Sequence, residues 1–242
     1  MNELKKILLI LILTIFTSNS FAVINNTGAA TAYKINITRL QLCDGTSSTV
    51  VCNNPVEIFN GDAGGIDIAG TVAGAAAAGI GSLATVPFGT EYTIMQITMQ
   101  RSISITGTVS DDTNTCVTEG TDDATPATAG VAATSGTAEI TEVYIGLSTD
   151  GNGTGINSTS AGDGTGTAQA VGVIDNDDTF VQFRGPLTAP VTLKPGQIPT
   201  MTLAFGFSEA LGYAGSSGGC TATEGETQGL YGSSPNVTVT IN

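Results

Sequence analysis

The residues best suited to chemistry in this sequence are oxygen donors in two acidic loops. In the first loop, Asp150 and Asn152 stand at alternate positions ahead of Gly155, as at the start of an EF-type calcium loop. That motif needs a bidentate glutamate at its twelfth position, where this chain has Ala161. A calcium site here would therefore be of another kind, with Asp163 as a further ligand, and a plain polar loop is the other interpretation.

The second acidic loop is a short turn. Asp175, Asp177 and Asp178 lie between two apolar runs, 171–174 and 180–183, which are typical of strands. Carboxylates are hard oxygen ligands that suit calcium. A solvent-exposed hairpin tip explains the same residues, so the turn is interpreted first as a tip and second as a calcium site. No other cofactor is expected.

Nothing in the sequence matches a catalytic arrangement. The chain has no histidine for general base chemistry and no tryptophan to stack on a sugar. It also has no phosphate-binding loop. A hydrolase that uses an acid pair such as Asp177 and Asp178 stays a third hypothesis, because sequence gives no distance between carboxylates. We expect a protein that is not an enzyme.

Four cysteines follow the first 22 residues, and an even number in an exported chain predicts disulfides. Cys43 and Cys52 flank a turn-rich stretch, so a bridge across a hairpin is the simplest of the three possible pairings. That pairing leaves Cys116 with Cys220. A metal-binding cluster is the alternative, and it is disfavoured because the spacing has no CxxC pair and no histidine is present.

Residues 1–22 have the features of a secretory signal peptide. Lys5 and Lys6 precede an apolar core over 7–16, and small residues lead to a cleavage site after Ala22. The core is too short to span a bilayer comfortably, since a membrane helix needs about 20 apolar residues. We expect a secreted protein at the cell surface or beyond it, with the periplasm as the alternative, and no membrane insertion.

Composition narrows the class of protein. The net charge of −14 disfavours nucleic acid and anionic lipid as partners. Only 12% of residues are charged, so the acidic residues must supply most of the solubility. With 32 glycines, the chain is typical of short strands joined by glycine-rich turns.

The strongest strand signal is the segment 89–107. From Ile97 onward, apolar side chains alternate with threonine, serine and glutamine, which is the period of a half-buried strand. The phase of the alternation slips near Met95 and Gln96, and this predicts a β-bulge. Arg101 falls on the apolar face, so we expect its guanidinium to extend toward solvent, either near the middle of the strand or at the sheet edge.

Further alternating segments complete an all-β prediction, an antiparallel β-sandwich with long Gly/Ser/Thr-rich loops. The chain is expected to form one domain over 23–242, or two packed lobes over 33–107 and 139–242 joined by a low-complexity loop, 108–138. The predicted strands lie at 33–38, 55–59, 143–147, 201–207 and 237–241.

The order of segments within 33–107 resembles a known class of domain. A strand, Ile66-Asp67-Ile68, a small-residue connector, the run 86–92 and a long strand follow one another, as in uncharacterised exported bacterial domains with a transthyretin-like β-sandwich. In those domains a Pro-x-Gly-x-Tyr turn feeds a central strand, whereas this chain has one extra residue between Gly89 and Tyr92. The resemblance implies a fold and no activity.

Export and a surface of small polar and acidic residues favour a structural or adhesive cell-surface protein, with a subunit of an extracellular filament as the specific form. The segment 23–32, with Val23 and Ile24 as apolar anchors, could leave its own domain and complete a neighbour's sheet. The alternative is a calcium-dependent module that binds glycans or a surface partner through 149–166 or 175–178. The expected partners are copies of this chain or a surface partner.

Overall fold

The computed structural model describes residues 24–49, 51–69, 81–110, 115–120, 132–133, 135–145, 157–158, 180–196, 199–215, 229–232 and 236–241. These residues form strands and one 3₁₀ turn, Leu83–Thr85, so the predicted all-β class is confirmed. No helix among them is long and apolar enough to cross a membrane. The strands are β1 (Ile24–Gly28), β2 (Ala30–Asp44), β3 (Val56–Asn60), β4 (Gly65–Asp67), β5 (Glu91–Gln100), β6 (Ser102–Ser110), β7 (Thr115–Thr118), β8 (Ala132–Ala133), β9 (Thr141–Tyr144), β10 (Asn157–Ser158), β11 (Phe180–Thr192), β12 (Met201–Gly206), β13 (Leu211–Gly215), β14 (Gly229–Gly232) and β15 (Asn236–Ile241).

The described strands form a large sheet and a small sheet in a sandwich-like arrangement. The large sheet follows the order β12-β15-β11-β5-β2-β6-β7-β8, with β3, β4, β9 and β10 paired at its sides. The part made by β2, β4, β6 and β9 curls into a half-barrel. The small sheet has the order β1-β13-β14. Pairing between the named strands is antiparallel except where β11 meets β15, at Leu187 and Val239.

Strand β2 is central to the large sheet. Its first half pairs with β4 and β6, and its second half pairs with β3 and β5. Inward-facing residues alternate as far as Ile37 and resume one residue out of phase at Leu40. The pairing with β5 shifts between Ile37 and Arg39, so Thr38 is the extra residue of a β-bulge. This bulge lets one strand keep its apolar side chains on the core while the sheet curls.

The segment predicted as one long strand is two strands, because the ladder breaks at Arg101 between β5 and β6. Both strands pair with β2, so the chain bends without leaving the sheet. The predicted bulge is present in β5, but it lies at Thr93, just upstream of Met95, where the register on β2 shifts between Cys43 and Asp44. The phase slip in the sequence therefore located the bulge to within a few residues.

Strand β5 is not half-buried as predicted. Every residue from Ile94 to Met99 is buried. Met95, Ile97 and Met99 join the core, while Gln96 and Thr98 are buried on the opposite face. Strands β2 and β11 pair with the two edges of β5, and the burial of successive residues shows that both of its faces are also covered.

The low-complexity interval 108–138 contains strands where the sequence predicts a loop. It holds the end of β6 and the strands β7 and β8. Its few apolar residues form a compact pair of strands, with Val109 opposite Cys116 and both side chains buried. The backbone N–H of Gly107 in β6 donates to Thr118 Oγ1 in β7 at 3.2 Å, and this bond holds β7 against β6.

Candidate assembly interface

The N-terminal segment that the sequence predicts to join copies is an edge strand of the small sheet. Strand β1 pairs residue for residue with β13, from Ile24 opposite Gly215 to Gly28 opposite Leu211. On its other side, β13 pairs with β14. Val23 lies outside the described residues. Strand β1 thus supplies one complete neighbour to β13, and β13 would become an edge if β1 left.

A single residue, Ala29, separates β1 from β2, and it is exposed. The N–H of the next residue, Ala30, donates to the carbonyl oxygen of Phe207 at 3.1 Å. Phe207 follows β12 and stands shortly before β13, so this bond fixes the first residue of β2 beside the small sheet. The start of β2 is therefore held independently of the β1 ladder.

Two glycines allow β1 to pass close to β6. A Cβ atom on Gly28 would lie 2.1 Å from the carbonyl oxygen of Thr108, and a Cβ on Gly107 would lie 2.4 Å from that of Ala29. Both contacts are with backbone atoms, which cannot move away by a change of rotamer as the end of a flexible side chain can. A larger residue at either position would therefore force the backbone of β1 away from β6.

Arg101 ties the small sheet to the large one. The expectation that its guanidinium extends to solvent is wrong, because the residue is 1% exposed. Its Nε donates to the carbonyl oxygen of Ile145 at 2.9 Å, and the N–H of Ile145 donates back to the carbonyl oxygen of Arg101 at 2.9 Å. Ile145 also forms a parallel bridge with Gly232 of β14. The small sheet is thus anchored to the large sheet through β14, on the side away from β1.

A buried polar ladder, which the sequence analysis missed, crosses three neighbouring strands of the large sheet. Gln41 of β2, Gln96 of β5 and Arg184 of β11 lie opposite one another. Gln96 Nε2 donates to Gln41 Oε1 at 2.6 Å, and Arg184 Nε donates to Gln96 Oε1. Arg184 Nη2 donates to Gln182 Oε1 at 2.9 Å, and Gln182 Nε2 donates to Thr98 Oγ1 at 3.3 Å.

All five residues of this ladder are less than a tenth exposed. Burial lowers the pKa of the Arg184 guanidinium, yet an arginine stays charged at neutral pH, so the amides hold a cation inside the protein. The ladder has no base that could activate the Thr98 hydroxyl, because its other members are amides and a guanidinium. Its hydrogen bonds fix the relative positions of β2, β5 and β11, because a one-residue slip would move these groups to the apolar face.

The predicted disulfide between Cys43 and Cys52 is confirmed, with their Cα atoms 5.2 Å apart. Both cysteines are buried and form a small cluster with Ile94. Cys116 is also disulfide-bonded. Cys220 lies outside the described residues, so its pairing with Cys116 stays a prediction. The confirmed bridge closes the hairpin at the end of β2 that lies far from β1.

Asp44 organises the turn that this disulfide closes. Its Oδ1 accepts from the Thr46 hydroxyl at 2.6 Å and from the Thr46 N–H at 2.9 Å, and its Oδ2 accepts from Asn54 Nδ2 at 2.6 Å. These hydrogen bonds, led by that of the Thr46 hydroxyl, lower the pKa of Asp44. Asn54 has a φ of 44°, in the left-handed region that asparagine tolerates. The carboxylate is used within the turn and has a structural role.

The calcium hypothesis stays a prediction. Within the described part of the chain, no group of three or more histidine, cysteine, aspartate or glutamate side chains could hold a metal ion. All the predicted calcium ligands lie outside that part: Asp150, Asn152, Asp163, Asp175, Asp177 and Asp178.

Comparison with known proteins gives no relative from which a function could be transferred. No protein-family model, no curated protein and no solved structure matches this chain. The transthyretin-like resemblance over 33–107 accordingly stays a prediction. The function has to be argued from the geometry of this chain alone.

Proposed function

We propose that this chain is a secreted structural or adhesive protein of the cell surface, whose copies join into a filament by exchanging strand β1. The observation that carries the proposal is the place of β1, an edge strand paired along its full length with β13 and joined to β2 through Ala29 alone. If β1 leaves, β13 presents an unpaired edge. The β1 strand of another copy can restore the same five-residue register.

Exchange replaces each lost contact with an identical one, so its cost in free energy is small once copies are concentrated. Donor and acceptor are different surfaces of one chain, and a contact of this type links copies head to tail into a ring or an open filament. Short hinges favour strand exchange. Because one extended residue spans only about 3.3–3.6 Å, the acceptor copy must lie directly at the end of β2.

Two features of the described chain support an exported protein. The buried Cys43–Cys52 bridge and the bonded state of Cys116 suit an oxidising compartment. The whole chain has a net charge of −14, and a large net charge helps to keep a protein soluble. Both features agree with the signal peptide predicted for residues 1–22.

Strand exchange is tested by placing a cysteine on each partner strand. Asn25 lies opposite Ala214 in the register of β1 and β13. Directly opposed residues of an antiparallel pair have Cα atoms about 4.5–5.5 Å apart, within the range of a disulfide. In the variant N25C/A214C, the new disulfide forms within one chain if β1 pairs with β13 of its own chain, and between chains if β1 is exchanged.

The exported variant is treated with a mild reductant that opens the engineered bond, and electron microscopy establishes whether it then forms filaments. It is reoxidised and run on non-reducing gels. We expect a ladder of covalent oligomers, with the single variants N25C and A214C giving the background of chance cross-links. Filaments whose chains all remain covalent monomers would refute exchange of β1. Exported protein that forms no filaments at native concentration would refute the filament role itself.

A further inference from the structure

Strand β12 forms an outer edge of the large sheet. It pairs with β15 in an unbroken six-residue register, from Met201 opposite Ile241 to Gly206 opposite Asn236. Among the described residues, no strand pairs with its other side. The backbone N–H and C=O groups on that side form a template to which another extended chain can bind.

This edge lacks the devices that usually protect such strands. Its sequence, MTLAFG, contains no charge and no proline, and its pairing with β15 has no bulge. The side strand β3 differs, because it carries Glu57 and its pairing with β2 shifts between Leu40 and Gln41. In a chain with a net charge of −14, β12 is an edge that two copies can approach without opposing carboxylates.

The side chains of β12 are incompletely covered. Met201 and Phe205 pack against the core but are only partly buried, while Leu203 between them is 4% exposed. The ring of Phe205 stacks with that of Phe207, with the centroids 6.3 Å apart. A strand added beside β12 would cover the open flanks of Met201 and Phe205 and extend the apolar layer.

We propose that β12 is a second contact between copies of this chain, in which two β12 strands pair antiparallel about a two-fold axis through Leu203. Paired residues of an antiparallel ladder share a face of the sheet. With the axis at Leu203, Met201 of each copy lies opposite Phe205 of the other, and Thr202 lies opposite Ala204. The core-facing side chains of both copies then form one layer, and no like charges face each other.

This contact is isologous and does not use β1, so it is tested in a chain whose β1 cannot be exchanged. Purified N25C/A214C monomer with its intrachain disulfide serves as the starting protein. Sedimentation analysis should show a reversible monomer–dimer equilibrium. A locked chain that stays monomeric over its whole soluble range would overturn the proposal, whatever the outcome of the β1 experiment.

Lysines then distinguish β12 from other surfaces. In the variant T202K/A204K, each lysine faces a lysine of the other copy, so we expect the dissociation constant to rise by more than about tenfold. The matched control T238K/T240K adds the same charge to the same face of the sheet, opposite these residues on the inner strand β15, and should dimerise normally. Both variants lower the net negative charge, so overall repulsion cannot explain a loss of dimer. An equal effect of both variants would overturn the contact.

Charge reversal guards against misfolding as the cause of a lost dimer. The variant T202E/A204E should fail to dimerise alone, because its glutamates face one another. When mixed with T202K/A204K, it should form a heterodimer, because every lysine then faces a glutamate. A mixture that stays monomeric would overturn the proposed pairing.

Discussion

Replacing Gln96 with leucine should test whether the buried polar ladder stabilises this fold. Gln96 is 1% exposed, accepts a hydrogen bond from Arg184 Nε and donates one to Gln41 Oε1. Leucine is similar in size to glutamine, so the substitution leaves little cavity. It removes both hydrogen bonds at once and leaves a guanidinium donor and an amide acceptor buried without those partners.

The expected loss of stability follows from these two groups. A hydrogen bond to a charged group contributes about 1.5–3 kcal/mol, and a buried neutral acceptor left unsatisfied costs about 1–3 kcal/mol. Gln41 is 7% exposed, so hydrogen bonds to water reduce the cost of its lost partner. The apolar side chain of leucine, buried at position 96, offsets a further part of the lost stability. We expect Q96L to lower the free energy of unfolding by about 3 kcal/mol, a large part of the 5–15 kcal/mol typical of a domain.

Gln100 provides the matched control, because it lies on the same strand and the same face but is partly exposed. Q100L should change the free energy of unfolding by about 0.5 kcal/mol or less. Q96E should lie between Q96L and the parent chain, because a glutamate keeps an acceptor for Arg184 and loses the donor to Gln41. Urea unfolding followed by circular dichroism measures all three. Equal midpoints for Q96L and Q100L would refute the stabilising role of the ladder.

Four further predictions use simpler changes. Gly28→Ala should speed proteolysis of β1 and lower the melting temperature, because its methyl group meets the backbone of β6, whereas Gly65→Ala, with open space around it, should do neither. Hydrogen bonds hold the pKa of Asp44 below its usual range, so the Asp44 carboxylate stabilises the fold above the usual carboxyl pKa and loses this effect as the pH falls through the lowered value. In Asp44→Asn, the free energy of unfolding should therefore depend less steeply on pH in this acid range. Replacing Cys43 and Cys52 together with alanine should cost about 2–3 kcal/mol in urea unfolding, from the short loop that the bridge closes; an unchanged midpoint would contradict this. The calcium hypothesis predicts that calcium at about 100 times its dissociation constant adds about 2.7 kcal/mol of stability over EDTA, and identical melting curves at millimolar calcium would speak against it.

The sequence predicts the local features of this fold well. The alternation of apolar side chains indicates β2, β3, β12 and β15, and the phase slip near Met95 and Gln96 corresponds to the bulge at Thr93. The hairpin disulfide follows from the turn-rich spacing of Cys43 and Cys52. Each of these features is decided by residues close together in the chain, and patterns of period two report them directly.

The features that sequence analysis missed depend on distant partners. Gln96 and Thr98 have the pattern of a solvent-facing side, but their buried hydrogen-bond partners lie on β2 and β11, 55 to 88 residues away in the chain. Arg101 attracts notice as a charge on an apolar face, but its acceptor on Ile145 is 44 residues along the chain. The partner of β1 is β13, near the other end of the chain. Periodicity carries no information about such pairings.

The connection of β1 to β2 through one residue has a mechanical consequence. In a filament joined by exchanged β1 strands, a pulling force would enter each copy at β13, through the bound β1 of one neighbour, and leave it through its own β2 and β1 toward the next copy. Such a force shears the β1–β13 ladder, so all its hydrogen bonds must fail together instead of opening one after another from an end. A joint of only five residue pairs would therefore resist tension better than its length suggests, while a sideways force would peel it apart easily.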